Sequence, residues 1–201
     1  EVEKTVNKEA RSLLGGDLEV RLSHPVSSQG QTVLDSLNSR GISLTHVSEL
    51  IAMVARTDSS TSGQPTQIVE LKAVEPGYPL YGQIRVNPQG DLAELLGLQS
   101  GRCQDRATFG VVVQESLLIK MGIRIGDCLK IGQGFFRIAA VVRTEPDRMA
   151  NAFSLGPRVL MSREGLQAAE LVKVGSRIRE RYLVKIPSNL PADPLLYELR
   201  G

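Results

Sequence analysis

Tryptophan is missing from these 201 residues, and Phe, Trp and Tyr together make up only 4%. That excludes the aromatic platforms that hold sugar rings or stack single-stranded bases. Charge of one sign is missing too. The 24 Lys and Arg stand against 22 Asp and Glu, for a formal net charge of +2. No strong field therefore points to DNA or to an anionic membrane surface, and no nucleic-acid partner is expected. Nowhere is there an apolar run of about 18 residues, the length a membrane-spanning helix needs. Cysteine is limited to Cys103 and Cys128, too few for a disulfide scaffold and not arranged as CxxC. Cys128 lies in an apolar alternating run and reads as a small buried hydrophobe. A single Cys103–Cys128 bridge in an oxidising compartment is the alternative, and the sequence leaves both open. There is no initiating Met and no signal-peptide pattern. Glu1 falls within a helical pattern. The far end, "PADPLLYELRG", reads as a helix start with Asp193 as cap and Pro194 in the first helical position. The expectation is a piece of a longer protein.

Catalytic patterns are equally scarce. His24 and His46 sit in different elements without ligand spacing, so no metal is expected. HExxH, GxSxG and the phosphate-binding GxxxxGK[ST] do not occur. "GIRIGD" and "GQGF" are glycine-rich but read as turns: Gly122 ends a helix, Gly126 and Asp127 open a strand, and Gly132 and Gly134 flank a hairpin turn. Glu145 and Asp147, with Arg148 beside them, surround Pro146 and read as a solvated strand end rather than an acid–base pair. The basic run over 173–181, with Lys173, Arg177, Arg179 and Arg181, could meet a phosphate or a lipid headgroup. A solvated loop and strand start is the plainer reading. Catalytic, cofactor-binding and metal-ligating residues are therefore all assigned as none.

What is there is an ordinary globular composition, 41% hydrophobic and 23% charged, in a length that suits one large domain or two small ones. Over residues 1 to 14, Val2, Val6, Ala10, Leu13 and Leu14 form one thin apolar stripe among charges, the pattern of a surface helix. Gly15 and Gly16 end it. "DLEVRLS" then alternates, with Leu18, Val20 and Leu22 to one side and Asp17, Glu19 and Arg21 to the other. Residues 29–40 predict a helix stopped by Gly41. Residues 42–57 predict a long strand, bulged near Leu50 and Ile51 where the alternation slips, and "TQIVELKAVE" its return strand. From Pro79 the character shifts to short strands and helices: "LYGQIRV", then "DLAELLGL" capped by Asp91, the loop "SGRCQDRAT", "FGVVVQ", "ESLLIKMG" and the hairpin "GDCLKIGQGFFRIAAVVRT". "PRVLMS", the helix "REGLQAAELV" and "RERYLVKIP" follow. The outline is α+β, with a strand-rich middle region over 79–155.

The order of these segments resembles a known family. "EARSLLGGDLEVRLSHPV" is similar to the segment after the first membrane helix of FtsX-like, MacB-type permeases of ABC transporters, most of all the YbbP-like subgroup. "VELKAVEPGYPLYGQIRV" (69–86), "FGVVVQESLLIKMGIRIGDCLKIGQGFFRIAAVVRTEPDR" (109–148), "GPRVLMS" and "RERYLVKIP" resemble its later strands and turns. The resemblance implies a MacB-like periplasmic core fold, an α+β architecture in which a porter-like α/β subdomain is interrupted by a smaller strand-rich subdomain. Residues 1–16 would be a stalk helix continuing from a membrane span. Residues 17–78 and 156–201 would form the porter-like part, incomplete at its C-terminal side, and 79–155 the insert. The function implied is non-catalytic: an extracytoplasmic domain of an inner-membrane permease. It would couple ATP hydrolysis by a separate cytoplasmic ATPase subunit to periplasmic motion, for export or extraction of a lipid, lipoprotein, hydrophobic compound or peptide. The implied partners are that ATPase, a second permease domain and a periplasmic protein or lipid or lipoprotein substrate. A stand-alone extracytoplasmic binding or interaction module is the competing expectation.

Overall fold

The computed structural model describes residues 15–23, 26–57, 65–104, 106–146, 155–173 and 175–187. The stalk expected over 1–16 lies outside these residues except for Gly15 and Gly16, as do His24, Asp147, Arg148 and the segment from 188 onward. The strands are β1 (Leu18–Leu22), β2 (Ser43–Arg56), β3 (Thr66–Val74), β4 (Arg85–Asn87), β5 (Leu98–Cys103), β6 (Arg106–Gln114), β7 (Cys128–Ile131), β8 (Gly134–Thr144), β9 (Arg158–Ser162) and β10 (Arg179–Lys185). The helices are α1 (Ser28–Ser39), α2 (Leu92–Leu96), α3 (Glu115–Met121) and α4 (Arg163–Ala169). All ten strands belong to one mixed sheet, in the order β1-β10-β2-β3-β9-β6-β8-β4, with β5 on β6 and β7 bridging β2 and β8. The α+β expectation is met.

The pairings around β7 close part of this sheet on itself. β2 pairs β3 and β7, β3 pairs β9, β9 pairs β6, β6 pairs β8 and β8 pairs β7. The ring encloses one apolar cluster to which every strand contributes: Val54, Leu71, Val111, Ile131, Ile138 and Met161 are all fully buried. Leu117 and Met121 of α3 and Leu166 and Ala169 of α4 join it. Each large side chain so buried contributes about 1.5–3 kcal/mol. The β7–β8 turn can be this tight because Gly132 has φ +58°; a Cβ there would also come within 2.0 Å of the Ala169 carbonyl. β2, β3 and β9 come from the stretches 17–78 and 156–201, and β6, β7 and β8 from 79–155, so the ring's core draws on both. A second cluster lies on the outer face, where Val47, Val74, Leu160 and Leu183 are covered by Tyr78, Leu80, Ile84 and α2. α1 buries Leu37 against Ile42 and Val184.

Side-chain caps start three of the helices. Ser27 Oγ accepts from Gly30 N at 3.1 Å, Asp91 Oδ1 from Glu94 N at 3.1 Å, and Ser162 Oγ from Gly165 N at 3.0 Å. α3 ends on Gly122 in the left-handed conformation, φ +63°.

Two expectations are corrected, and one alternative left open is decided. β2 carries no bulge: its register on β3 runs unbroken from Val47↔Val74 to Ala55↔Thr66. The alternation slips because residues 45–48 are buried on both faces, whereas beyond Glu49 the outer face opens and Ile51 and Met53 are exposed. "LQSGRC" is not loop but strand β5, irregular between Gln99 and Arg102. An edge strand needs backbone pairing, not apolar alternation, so its polar residues hid it. Cys103 and Cys128 are bridged, tying β5 to β7, so Cys128 is not a free apolar filler.

Candidate functional site

Residues directly opposite one another in a sheet share a face. The registers Arg179↔Glu49↔Lys72↔Leu160, Arg21↔Arg181 and Ile51↔Glu70↔Arg158 therefore place a crowd of charges on the outer face of β1, β10, β2, β3 and β9. They pair across strands. Arg181, almost fully buried, lies between Glu19, to which its Nε donates, and Glu49, 3.1 Å from its Nη1. Arg21 Nη2 donates to Glu19 Oε2 at 2.9 Å, and Arg179 Nη1 is 3.7 Å from Glu49 Oε2. Burial pushes the Glu19 carboxyl up. The guanidiniums of Arg21 and Arg181 outweigh that and hold it below the usual carboxylate range.

Toward β9 the same face closes over a buried ion pair. Lys72, 1% exposed, donates from Nζ to Glu145 Oε1 at 2.7 Å and to the Tyr78 hydroxyl at 2.6 Å. Arg158 Nε is 3.4 Å from Glu145 Oε2, and its Nη2 is 3.8 Å from Glu70 Oε2. Between these two charged groups the surface sinks into an open cleft of about 1000 Å³. Leu50, Ile51, Leu155 and Ile178 supply apolar wall, and Arg21, Arg177 and Arg179 stand at its basic side. Ile51 and Leu155 are exposed there, and Met53 and Ile68 extend the exposed apolar stripe along β2 and β3. Exposed apolar surface beside fixed guanidinium groups suits a contact with another molecule.

The inner face of β2 and β10 carries a different cluster. His46 Nε2 and Ser48 Oγ both lie 2.6 Å from Glu180 Oε2. Arg163 at the start of α4 donates to Ser48 Oγ at 2.9 Å and approaches Glu75 at 3.9 Å. The His46 ring stacks on Tyr182 with centroids 4.1 Å apart. Burial raises the Glu180 carboxyl, but the hydrogen bonds from His46 and Ser48 bring it below its ordinary value. Burial and the neighbouring Glu180 charge push the Tyr182 phenol up. Serine, histidine and glutamate are together, yet not as a nucleophile relay. Ser48 and His46 converge on one carboxylate oxygen instead of on each other, and Ser48 is fully buried.

The sequence reading assigned no site residue, and it missed both clusters. Glu145 is a correction: it is not a solvated strand end but a buried partner of Lys72 and Arg158, because the loop after β3 folds over the end of β8. The run 173–181 is corrected in part. Arg179 is exposed as expected, but Glu180 and Arg181 are buried by their neighbours on β1 and β2. His46 is a structural member of the inner cluster. Alternation did place Glu19 and Arg21 on one side of β1, and the structure finds them paired there in the outer cluster. Among the described residues, no three His, Cys, Asp or Glu side chains converge as metal ligands.

Compared with known proteins, the chain is similar to the uncharacterized ABC transporter permease YbbP of Escherichia coli (strain K12), 29% identical over 181 residues. The match covers 90% of this chain and 20% of the relative, so the chain spans about one fifth of that relative's length. This bears out the resemblance drawn from the sequence. Among solved structures, the chain is similar to the periplasmic region of MacB from Actinobacillus actinomycetemcomitans (15% identity, TM-score 0.48, covering 97% of this chain and 86% of that one). It is also similar to the extracellular domain of the ABC-type transporter YknZ from Gram-positive bacteria (10%, 0.49, 90% and 88%). A third is a domain of a putative permease from Porphyromonas gingivalis (14%, 0.48, 80% and 70%). No family model matches.

Proposed function

We propose that this chain is the extracytoplasmic domain of an FtsX-like, MacB-type ABC transporter permease. It acts as the output end of a lever driven by ATP hydrolysis in a separate cytoplasmic subunit. The observation that carries the reading is the joining of its first and last described segments at one pole. Asp17 N donates to Val184 O at 2.8 Å, and Ile186 N donates back to Asp17 Oδ2 at 2.8 Å. A domain held at one pole by two adjacent chain segments can hang from two neighbouring membrane spans and move with them as a body. A closed ring stapled by the Cys103–Cys128 disulfide is a stiff body for that purpose, and rigid-body displacement is a standard output of such coupling. The disulfide also suits an oxidising, extracytoplasmic compartment. Similarity to a permease supports the family.

In this reading the domain is non-catalytic. Residues 17–78 and 156–201 are assigned to its porter-like part, and 79–155 to the insert that completes the ring. The open cleft beside Ile51, Leu155 and Arg179 is the surface offered to cargo: a lipid, lipoprotein, hydrophobic compound or peptide. The test is membrane assembly. The full-length permease, purified from membranes, brings down a Walker-type ATPase, and a membrane-impermeant maleimide applied from outside the inner membrane labels an Ile119→Cys variant, a site 77% exposed. A free, unattached domain with no ATPase would instead indicate the stand-alone binding module.

A further inference from the structure

β1 is only five residues long and, among the described residues, lies at the edge of the sheet and pairs with β10 alone. A body attached through β1 only would twist about that one seam. The structure contains a second connection. One oxygen of Asp17, Oδ2, accepts from Ile186 N at 2.8 Å and from the Tyr81 hydroxyl at 2.7 Å. Lys185 Nζ sits 5.1 Å over the Tyr81 ring, so the last strand and this loop grip each other from two sides. Gly16, just before Asp17, is hemmed in by backbone: a Cβ there would lie 3.0 Å from Leu18 O and 3.1 Å from Val184 O.

Three residues before Tyr81, Tyr78 is 4% exposed and takes the Lys72 proton donor on its hydroxyl at 2.6 Å, within the buried Lys72–Glu145–Arg158 group. That group joins β3, the end of β8 and β9. Leu80 and Ile84, on either side, pack on the outer apolar cluster with Val47 and Leu183. Glu75, where the loop leaves β3, accepts the His46 amide on Oε2 at 3.0 Å. The loop is thus pinned at the pole by Tyr81, at the ring by Tyr78 and along its length by apolar packing. Its two tyrosine hydroxyls bond to different elements, Asp17 just before β1 and Lys72 on β3.

We propose that residues 75–84 are a strut, and that the Asp17–Tyr81 hydrogen bond is the positioning contact that passes displacement at the pole directly to the ring, in parallel with β1. The inference rests on the lever reading above. Asp17 and Tyr81 are positioning residues; the contact stiffens the joint and performs no chemistry.

The experiment uses the full-length permease with its ATPase in vesicles whose headgroups carry an acceptor dye. A donor is placed at Ile119→Cys on the ring or at Arg21→Cys on β1. Wild type is expected to show an ATP-dependent change at both donors. Tyr81→Phe keeps the ring and the Lys185 contact and loses only the hydroxyl. It is expected to leave ATP hydrolysis and the change at Arg21→Cys intact while reducing the change at Ile119→Cys at least twofold. Leu171→Ala, which weakens packing on the ring's inner cluster, a cluster that contains no residue of the clasp, should keep both changes. An undiminished change at Ile119→Cys in Tyr81→Phe overturns the strut. If wild type itself shows no ATP-dependent change, the lever reading fails, and the clasp is then decided on the 201-residue chain alone. There, exchange of the Ile186 amide, which is held by the carboxylate that Tyr81 positions, should quicken at least threefold in Tyr81→Phe, and unchanged exchange refutes the contact.

Discussion

Lys72 is the residue whose environment contrasts most with its type. An ammonium that is 1% exposed is tolerable because Glu145 and Tyr78 meet it within 2.7 Å. Removing one partner strands the other, so Lys72→Met should lower the unfolding free energy by about 3–5 kcal/mol. The double variant Lys72→Met, Glu145→Gln should recover part of that loss, since it leaves no buried carboxylate facing an apolar chain and keeps a side-chain oxygen beside Arg158. Chemical denaturation of the three variants measures the coupling. Single losses that simply add would contradict it. A second expectation concerns acid. Glu19 and Glu180 both have carboxyls held below the unfolded value of 4.5. A depressed folded pKa means stability that is fully present above that value and is lost as pH falls through the lower folded values. Stability should therefore drop progressively below about pH 4.5, and Glu180→Gln should flatten that acid limb while costing stability at neutral pH. The residue scale was the least legible. Alternation in "IVELKAVE" says which way Lys72 points, but not that the loop after β3 would cover it. A buried charge looks like a solvated one until its cover is known.

At the scale of elements the sequence was far more informative, because period and punctuation are local properties. α1, β2, β3, α3 and the β7–β8 hairpin all fall where periodicity and glycine placed them. The Asp91 cap and the Gly122 stop appear as expected. β5 was lost because its pairing is through the backbone of an edge strand. The bulge was wrongly expected in β2 because a change of covering layer along a long strand mimics a register slip. The disulfide is an element-scale feature as well: it joins positions 25 residues apart and ties the β5–β6 hairpin to β7. The chain-entropy estimate for a loop of that length is about 3–4 kcal/mol. The double variant Cys103→Ser, Cys128→Ser should lose stability of that order and let β5 exchange its amides faster. Equal stability with and without reductant would show that the ring needs no staple.

For the whole molecule, the sequence conveyed the class and the kinship but not the closure. The ring depends on β7 pairing both β2 and β8, contacts between residues far apart in the chain that no local pattern announces. Closure matters to the proposed role. A ring with one shared core moves as a unit, whereas two loosely docked subdomains would absorb displacement between them. The charged outer face works the same way: Arg181, bonded to Glu19 and Glu49, crosses β1, β10 and β2, so the strand nearest the pole is tied to the ring. The central claim is that ATP hydrolysis moves this domain as a body. The most direct measurement is energy transfer between a donor at Ile119→Cys and acceptor lipids at the membrane surface, in vesicles holding the full-length permease and its ATPase. The account predicts a reversible change on adding ATP that vanishes in a hydrolysis-deficient ATPase; the same transfer efficiency in every nucleotide state would contradict it.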